Sequence, residues 1–119
     1  MTEQPHSPGL VEISPHAIAT IASQAAMQCY GIVGMAPKDV VHGLTNIIVP
    51  DPRHGVEVVV HGQRLIINLF VIVEYGTRIK PVADSLAHAV RFNVETTIGW
   101  PVEAVNVHVQ GLRISNTDL

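Results

Sequence analysis

Apolar side chains concentrate in one stretch near the middle of the chain. The segment 63–76, QRLIINLFVIVEYG, holds the longest apolar run of the sequence, rich in β-branched residues and interrupted only by Asn68. Glycines flank the run at Gly62 and Gly76. A run this continuous predicts a strand that is buried on both faces at the centre of a sheet. It is too short for a membrane-spanning helix, which needs about 20 apolar residues.

Three further segments have the pattern of strands. Residues 56–61 alternate between two faces, and the HGQR turn that follows predicts a β-hairpin with the central run. Residues 102–114 alternate valines with polar residues, among them Asn106 and His108, which predicts a strand with one solvent-exposed face. A short first strand is expected over 10–13.

Two segments have the spacing of amphipathic helices. Ser14 can accept hydrogen bonds from the first turn and Pro15 lacks a donor that would be unpaired there, so a helix is predicted over 15–29. The second helix is expected to begin within 79–81 and to end at Gly99. This order predicts a two-layer α+β sandwich, with a mostly antiparallel sheet of about four strands and two main helices on one face.

The connections are predicted from their turn-forming residues. Residues 31–37, GIVGMAP, are expected to form a turn with exposed apolar side chains. One or two helical turns are expected over 38–44, and the two prolines within 45–55 predict a loop there.

Length and composition indicate one globular domain. With 119 residues, the chain is predicted to form a disordered arm at 1–8, a single domain at 9–114 and a polar tail at 115–119. Hydrophobic residues make up 47% and charged residues only 14%, so part of the apolar surface is expected to be covered by another copy or another protein. The formal net charge of −3 argues against general binding to phosphate backbones.

The sequence also predicts where the protein is found. One cysteine, Cys29, excludes an internal disulfide and suits a reducing compartment. The polar N-terminus has no apolar core of a signal peptide, and no lipidation motif or membrane span is apparent. We therefore expect a cytoplasmic protein whose membrane association, if any, is peripheral or through a partner.

No catalytic or metal-binding motif is visible. None of the seven histidines has the short spacing of zinc ligands, and only His61 and His108 are expected to share a sheet face. Cys29 falls on the apolar stripe at the C-terminal end of the first helix, where the helix dipole disfavours a thiolate, so it is interpreted as a buried structural residue. Glu74 is interpreted as half of an ion pair with a nearby cation. An enzyme would require a deep pocket near Glu74 or His108.

A GxxG motif leaves a nucleic-acid alternative open. KH modules place such a loop between two helices, where it binds the nucleic-acid backbone, and Gly31–Gly34 stands in a similar order of elements. Its middle residues are apolar instead of basic, and a tight apolar turn is the competing interpretation.

With these segments in view, the chain resembles the alkaline shock protein family, also called the envelope stress response family, of Gram-positive-type bacteria. The resemblance runs over about 10–112 and is carried by ISPHAIATIASQAA, GIVGM, GVEVVV, LFVIVEYGTRIKPVADSLAHAV and VEAVNVHVQGL. The combination of VEYG, the I-x-P-V-A helix start and the closing VNVHVQGL is specific to it.

The resemblance implies a small non-catalytic cytoplasmic protein without a cofactor or catalytic residues. Members of the family look like self-associating cytoplasmic proteins that gather at the inner face of the cell membrane through a membrane-anchored partner, in envelope stress response and homeostasis. Some relatives are associated with fatty-acid metabolism, so regulation of an enzyme of that metabolism is a further alternative.

Five residues are candidates for contacts with partners. Apolar groups in a turn and the free backbone groups of an edge strand favour association. The candidates are Val33 and Met35 in the predicted turn, Tyr75 at the end of the central strand, and Asn106 and His108 on the last strand.

Overall fold

A computed structural model of the protein describes residue 9, residues 11–37 and residues 55–114. In chain order the elements are α1 (Pro15–Met27), β1 (Ile32–Met35), β2 (Val56–His61), β3 (Arg64–Glu74), α2 (Ile79–Ile98) and β4 (Val102–Arg113). The predicted α+β class, with four strands and two main helices, is confirmed. The predicted arm at 1–8, short helix at 38–44 and tail at 115–119 lie outside the described residues, as does the loop at 45–55 except for Gly55.

Strand β3 is the centre of the sheet, as its apolar run predicts. β2 pairs antiparallel with the first half of β3, and β1 pairs antiparallel with its second half. β4 pairs with β3 along its whole length on the other edge, and this pairing is parallel because α2 crosses over the sheet between the two strands. Two of the three pairings are therefore antiparallel.

Two local predictions are wrong. Residues 32–35 form strand β1 instead of a turn, with Ile32 opposite Val73 and Met35 opposite Val71. Because β2 reaches only as far as Leu69, the backbone of β3 beyond it needs another partner, and β1 supplies one. The first strand expected over 10–13 is absent at residues 11–13, which do not pair with the sheet.

The helix ends follow the local signals in the sequence. Ser14 Oγ accepts a hydrogen bond from the Ala17 amide at 3.1 Å, and α1 ends two residues earlier than predicted. α2 ends at Gly99, which has the left-handed φ of 87° and donates its N–H to the Glu95 carbonyl.

The core lies between the sheet and the two helices. α1 packs over β1 and β2, and α2 packs over β4. Alternate side chains of β3 face the helices and are fully buried, namely Leu65, Ile67, Leu69, Val71 and Val73. They meet the stripe Val82, Leu86, Val90 and Val94 of α2. The opposite face of β3 carries no helix in the described part of the chain, so the burial predicted for both faces is complete on one face only.

Candidate interaction surface

The sheet face away from α1 and α2 is termed the open face. Pairing registers and the burial alternation of β3 assign its members. They are Glu57, Val59 and His61 on β2, Arg64, Ile66, Asn68, Phe70, Ile72 and Glu74 on β3, and Glu103, Ala104, Asn106, His108 and Arg113 on β4.

A row of hydrogen-bonded polar side chains crosses the middle of the open face. Asn68 Nδ2 donates to Glu57 Oε1 at 3.1 Å, and Asn106 Nδ2 donates to Asn68 Oδ1 at 2.9 Å. The row thus links β2, β3 and β4 and holds each amide in one orientation. Asn106, predicted as a contact residue, is exposed at the end of this row.

An aromatic stack lies next to the polar row. The His108 ring covers Phe70, with ring centroids 4.6 Å apart and planes inclined by 11°. Phe70 is thereby 8% exposed although no described helix covers it, while His108 is exposed. The predicted contact residue His108 therefore has an exposed ring in a fixed position.

Apolar side chains flank the polar row on both sides. Ile66 and Ile72 are partly buried on β3, and Val59 is 41% exposed beside Ile66. Apolar groups grouped around fixed polar ones are typical of protein interaction surfaces. Ile66 and Ile72 were not among the contact residues predicted from the sequence. The period of two along a strand could have indicated them, because it places both on the same face of β3 as Asn68.

The other predicted contact residues lie at the end of β3 and in β1. Tyr75 is 60% exposed where β3 ends, and its N–H donates to the Arg113 carbonyl at 2.8 Å. Val33 and Met35 are partly buried in β1 instead of exposed in a turn, and Met35 packs against the core. Met35 is therefore held by packing with its own chain.

The start of β4 is held by two side chains of α2. Glu95 Oε2 accepts the Val102 N–H at 2.8 Å, and Arg91 Nη1 donates to the Val102 carbonyl at 2.6 Å. Both backbone groups of Val102 are thus engaged, and we name this arrangement the Arg91–Glu95 clamp. The clamp was not predicted from the sequence, although two long charged side chains four residues apart before the Gly99 cap were a possible signal.

Other candidate chemistry falls outside the open face or does not assemble. Glu74 forms no ion pair within the described residues, so that interpretation is wrong, and Lys80 instead pairs with Asp84 at 3.1 Å. His61 and His108 share the open face as expected. His61 lies opposite Arg64 and His108 opposite Phe70, so the two histidines are about 20 Å apart along the sheet.

The surface formed by the described residues includes two grooves. One of about 560 Å³ is formed by the end of α1 and the start of α2, with Cys29, Tyr30 and Arg78 in its lining. The other, of about 490 Å³, lies between Val11 and Trp100. Neither is lined by the residues for which an enzyme hypothesis required a deep pocket. Burial raises the pKa of the Cys29 thiol, which does not favour a nucleophilic thiolate.

The Gly31–Gly34 motif does not form the loop that a KH module requires. Gly31, with a φ of 89°, is the last residue of the turn before β1, and Gly34 lies within β1 opposite Ile72. Strand pairing with β3 thus uses the backbone that would otherwise bind a phosphate, and the KH prediction is wrong at this point.

Within 11–37 and 55–114, no three His, Cys, Asp or Glu side chains are grouped so as to hold a metal ion. No helix in this part of the structure is long and apolar enough to cross a membrane.

The fold and the open face define a small two-layer α+β domain in which the described helices lie on one face of the sheet. The chain belongs to the alkaline shock protein 23 family, described as having a cell envelope-related function, whose profile matches residues 3–114. The resemblance to the alkaline shock protein family is thereby confirmed.

Relatives support this assignment over most of the chain. The Bacillus subtilis protein YloU is 43% identical over 110 residues, covering 91% of this chain and 92% of YloU. The Streptococcus pyogenes protein Spy1614 is 30% identical over 108 residues, covering 89% of each chain. Among solved structures, the copper form of MamM CTD is similar, with a TM-score of 0.51, 17% identity, and coverage of 86% of this chain and 90% of that one. At this identity the likeness concerns the fold alone.

Proposed function

We propose that the chain is a non-catalytic, self-associating scaffold protein in the cell envelope-related process of its family. A membrane-anchored partner holds this cytoplasmic protein at the inner face of the cell membrane. The open face is the surface that meets this partner.

The observation that carries the proposal is the composition of the open face. Ile66 and Ile72 offer apolar area on either side of the amides of Asn68 and Asn106, which are already oriented by hydrogen bonds. Fixed side chains lose little conformational entropy on binding, so more of the contact energy remains as affinity.

Contact residues follow from this surface. We assign Asn106 and His108 to the middle of the open face, and Tyr75 to its border where β3 ends. Val33 and Met35 contribute at the edge formed by β1, through the parts of their side chains that remain accessible.

The proposal is tested with one variant on the open face and one on the opposite side of the same hairpin. Ile66→Thr removes apolar area from the open face, whereas Val60→Thr changes a side chain that is 49% exposed on the helix side. Threonine keeps the β-branch in both cases. We expect Ile66→Thr to lower the recovery of an integral membrane protein by affinity capture from native membranes, and Val60→Thr to leave it unchanged.

Two results would contradict the proposal. One is a wild-type chain that remains monomeric at high micromolar concentration in analytical ultracentrifugation. The other is recovery of a single metabolic enzyme from the soluble fraction and of no membrane protein, which would favour the enzyme-regulator alternative.

A further inference from the structure

Strand β4 has one unpaired edge in the described structure. It spans Val102–Arg113, pairs with β3 on one side, and has no other strand on its second side within the described residues. In a parallel pairing, every second residue directs its N–H and C=O away from the neighbouring strand. Edge strands are commonly protected from further pairing by lysine or proline, and β4 contains neither.

The Arg91–Glu95 clamp limits this edge at its start. The N–H and C=O of Val102 are bonded to α2 side chains and are not available to another strand. The edge that a further strand can use therefore begins at Glu103 and extends to Arg113, whose own carbonyl is turned toward β3 and accepts the Tyr75 N–H.

The two ends of this usable edge carry opposite charges. Glu103 and Arg113 are the only Asp, Glu, Lys or Arg residues in β4. Register shifts next to Glu103 and before Gly111 place the side chains of Glu103 and Arg113 on the open face. The residues Val105, Val107 and Val109, which lie between them, face the helices. Glu103 contacts only the exposed His61, at 3.2 Å, and Arg113 has no side-chain partner in the described structure.

We propose that two copies of this chain pair their β4 strands antiparallel about a two-fold axis at His108. This inference rests on the self-association in the proposed function and assigns the surface for it. Because of the register shifts, Arg113 lies four strand positions after His108, opposite Glu74, and Ala104 lies four positions before it, opposite Ile66, with Glu103 adjacent. Positions equally distant from His108 then lie opposite each other, so Arg113 of each copy meets Ala104 and the adjacent Glu103 of the second copy. Asn106 of each copy meets Gly111 and the adjacent Gln110 of the second copy.

Charge selects this arrangement over a parallel one. In-register parallel pairing of the same two edges would place Glu103 opposite Glu103 and Arg113 opposite Arg113. Like charges directly opposite each other destabilise a strand pair. The antiparallel two-fold places the two open faces on the same side of one continuous sheet. Two copies then present a doubled surface to the membrane-anchored partner.

Charge reversal tests the pairing of the strand ends. Glu103→Arg and Arg113→Glu each replace two attractive contacts of the dimer by two repulsive ones, and we expect each to weaken dimerisation by roughly tenfold or more at low salt. The double variant exchanges the charges and restores the complementarity, so its dimerisation constant should return to near that of the wild type. Lys80→Glu, at an exposed site on α2, is the control and should have no effect.

Cysteine cross-linking tests the position of the axis in a Cys29→Ala background. His108→Cys places two thiols directly opposite each other, where Cα atoms are about 4.5–5.5 Å apart and a disulfide can form. Gln110→Cys places them about 14 Å apart along the strands, which is too far. We expect rapid interchain disulfide formation for the first variant and little for the second.

The outcomes separate this inference from the proposed function. Restored dimerisation in the charge-exchanged double variant together with selective cross-linking at His108 supports it. A wild type that dimerises while the single charge variants dimerise equally well overturns the β4 pairing and leaves the proposed function standing. Efficient cross-linking at Gln110 but not at His108 overturns the stated axis, and a strictly monomeric wild type overturns both proposals.

Discussion

The Arg91–Glu95 clamp predicts a measurable part of the stability of this fold. Replacing Arg91 by alanine removes the hydrogen bond of 2.6 Å to the Val102 carbonyl, and replacing Glu95 by alanine removes that of 2.8 Å to its N–H. Alanine is a strong helix former, so neither change should weaken α2 itself.

The magnitude follows from the burial of the residue that is held. Val102 is 3% exposed, so each variant leaves a backbone group with little access to water. An unsatisfied buried group costs about 1–3 kcal/mol. Arg91 and Glu95 are only partly buried, and water can replace them to some extent, so we expect a loss of about 1–2 kcal/mol in the free energy of unfolding for each.

Urea denaturation at low protein concentration, followed by circular dichroism, measures this loss. Glu95→Gln is a matched control, because its amide oxygen can still accept the Val102 N–H, and it should lose less than Glu95→Ala. Lys80→Ala is a second control, since the Lys80–Asp84 pair has side chains 83% and 66% exposed and should contribute less than about 0.5 kcal/mol.

A specific pattern would refute this reasoning. If Arg91→Ala and Glu95→Ala unfold at the same urea concentration as Lys80→Ala, the hydrogen bonds to Val102 do not stabilise the start of β4. If the clamp also limits edge pairing, both alanine variants should aggregate more readily than wild type at high concentration, which light scattering would detect.

The remaining predictions concern packing and ionisation. Gly55→Ala should destabilise the fold by about 1–3 kcal/mol in urea denaturation, because the added Cβ would lie 2.8 Å from Met35 Cβ and from the Phe70 carbonyl oxygen. Gly34→Ala is the control and should not destabilise the fold, because no atom lies within 4 Å of the added Cβ. Leu86→Ala should cost about 2–5 kcal/mol and Phe92→Ala, at a side chain 67% exposed, almost nothing, as thermal unfolding would show. Burial raises the pKa of the Cys29 thiol, so at alkaline pH the unfolded thiol ionises before the folded one and stability falls as pH rises. Cys29→Ala should lack this part of the pH dependence of unfolding, and an equal slope in both proteins would contradict the assignment.

Local patterns predicted the main elements well. Ser14 followed by Pro15 marked the start of α1, Gly99 marked the end of α2, and the apolar run marked β3. Strict alternation along the last strand placed Asn106 and His108 together on a solvent-exposed face, which the structure bears out. These features depend on neighbouring residues only, so they can be seen in the sequence.

Features that depend on distant residues could not be predicted in this way. The segment 32–35 has glycines typical of a turn, yet it forms β1 because the second half of β3 lacks another partner on that edge. The clamp joins residues on α2 to a backbone that follows a turn, and nothing in the spacing fixes which carbonyl Arg91 reaches.

The pattern of residues along the chain was enough to predict the class of the fold, the position of its central strand and the polar pattern of its last strand. The three-dimensional arrangement was needed to show that β4 runs parallel to β3, that His108 covers Phe70, and that Glu103 and Arg113 share the open face. The physical reason is that strand periodicity records which side chains share a face. Pairing direction and bulges, in contrast, are set by the length of the crossover and by the packing of α2 on the sheet.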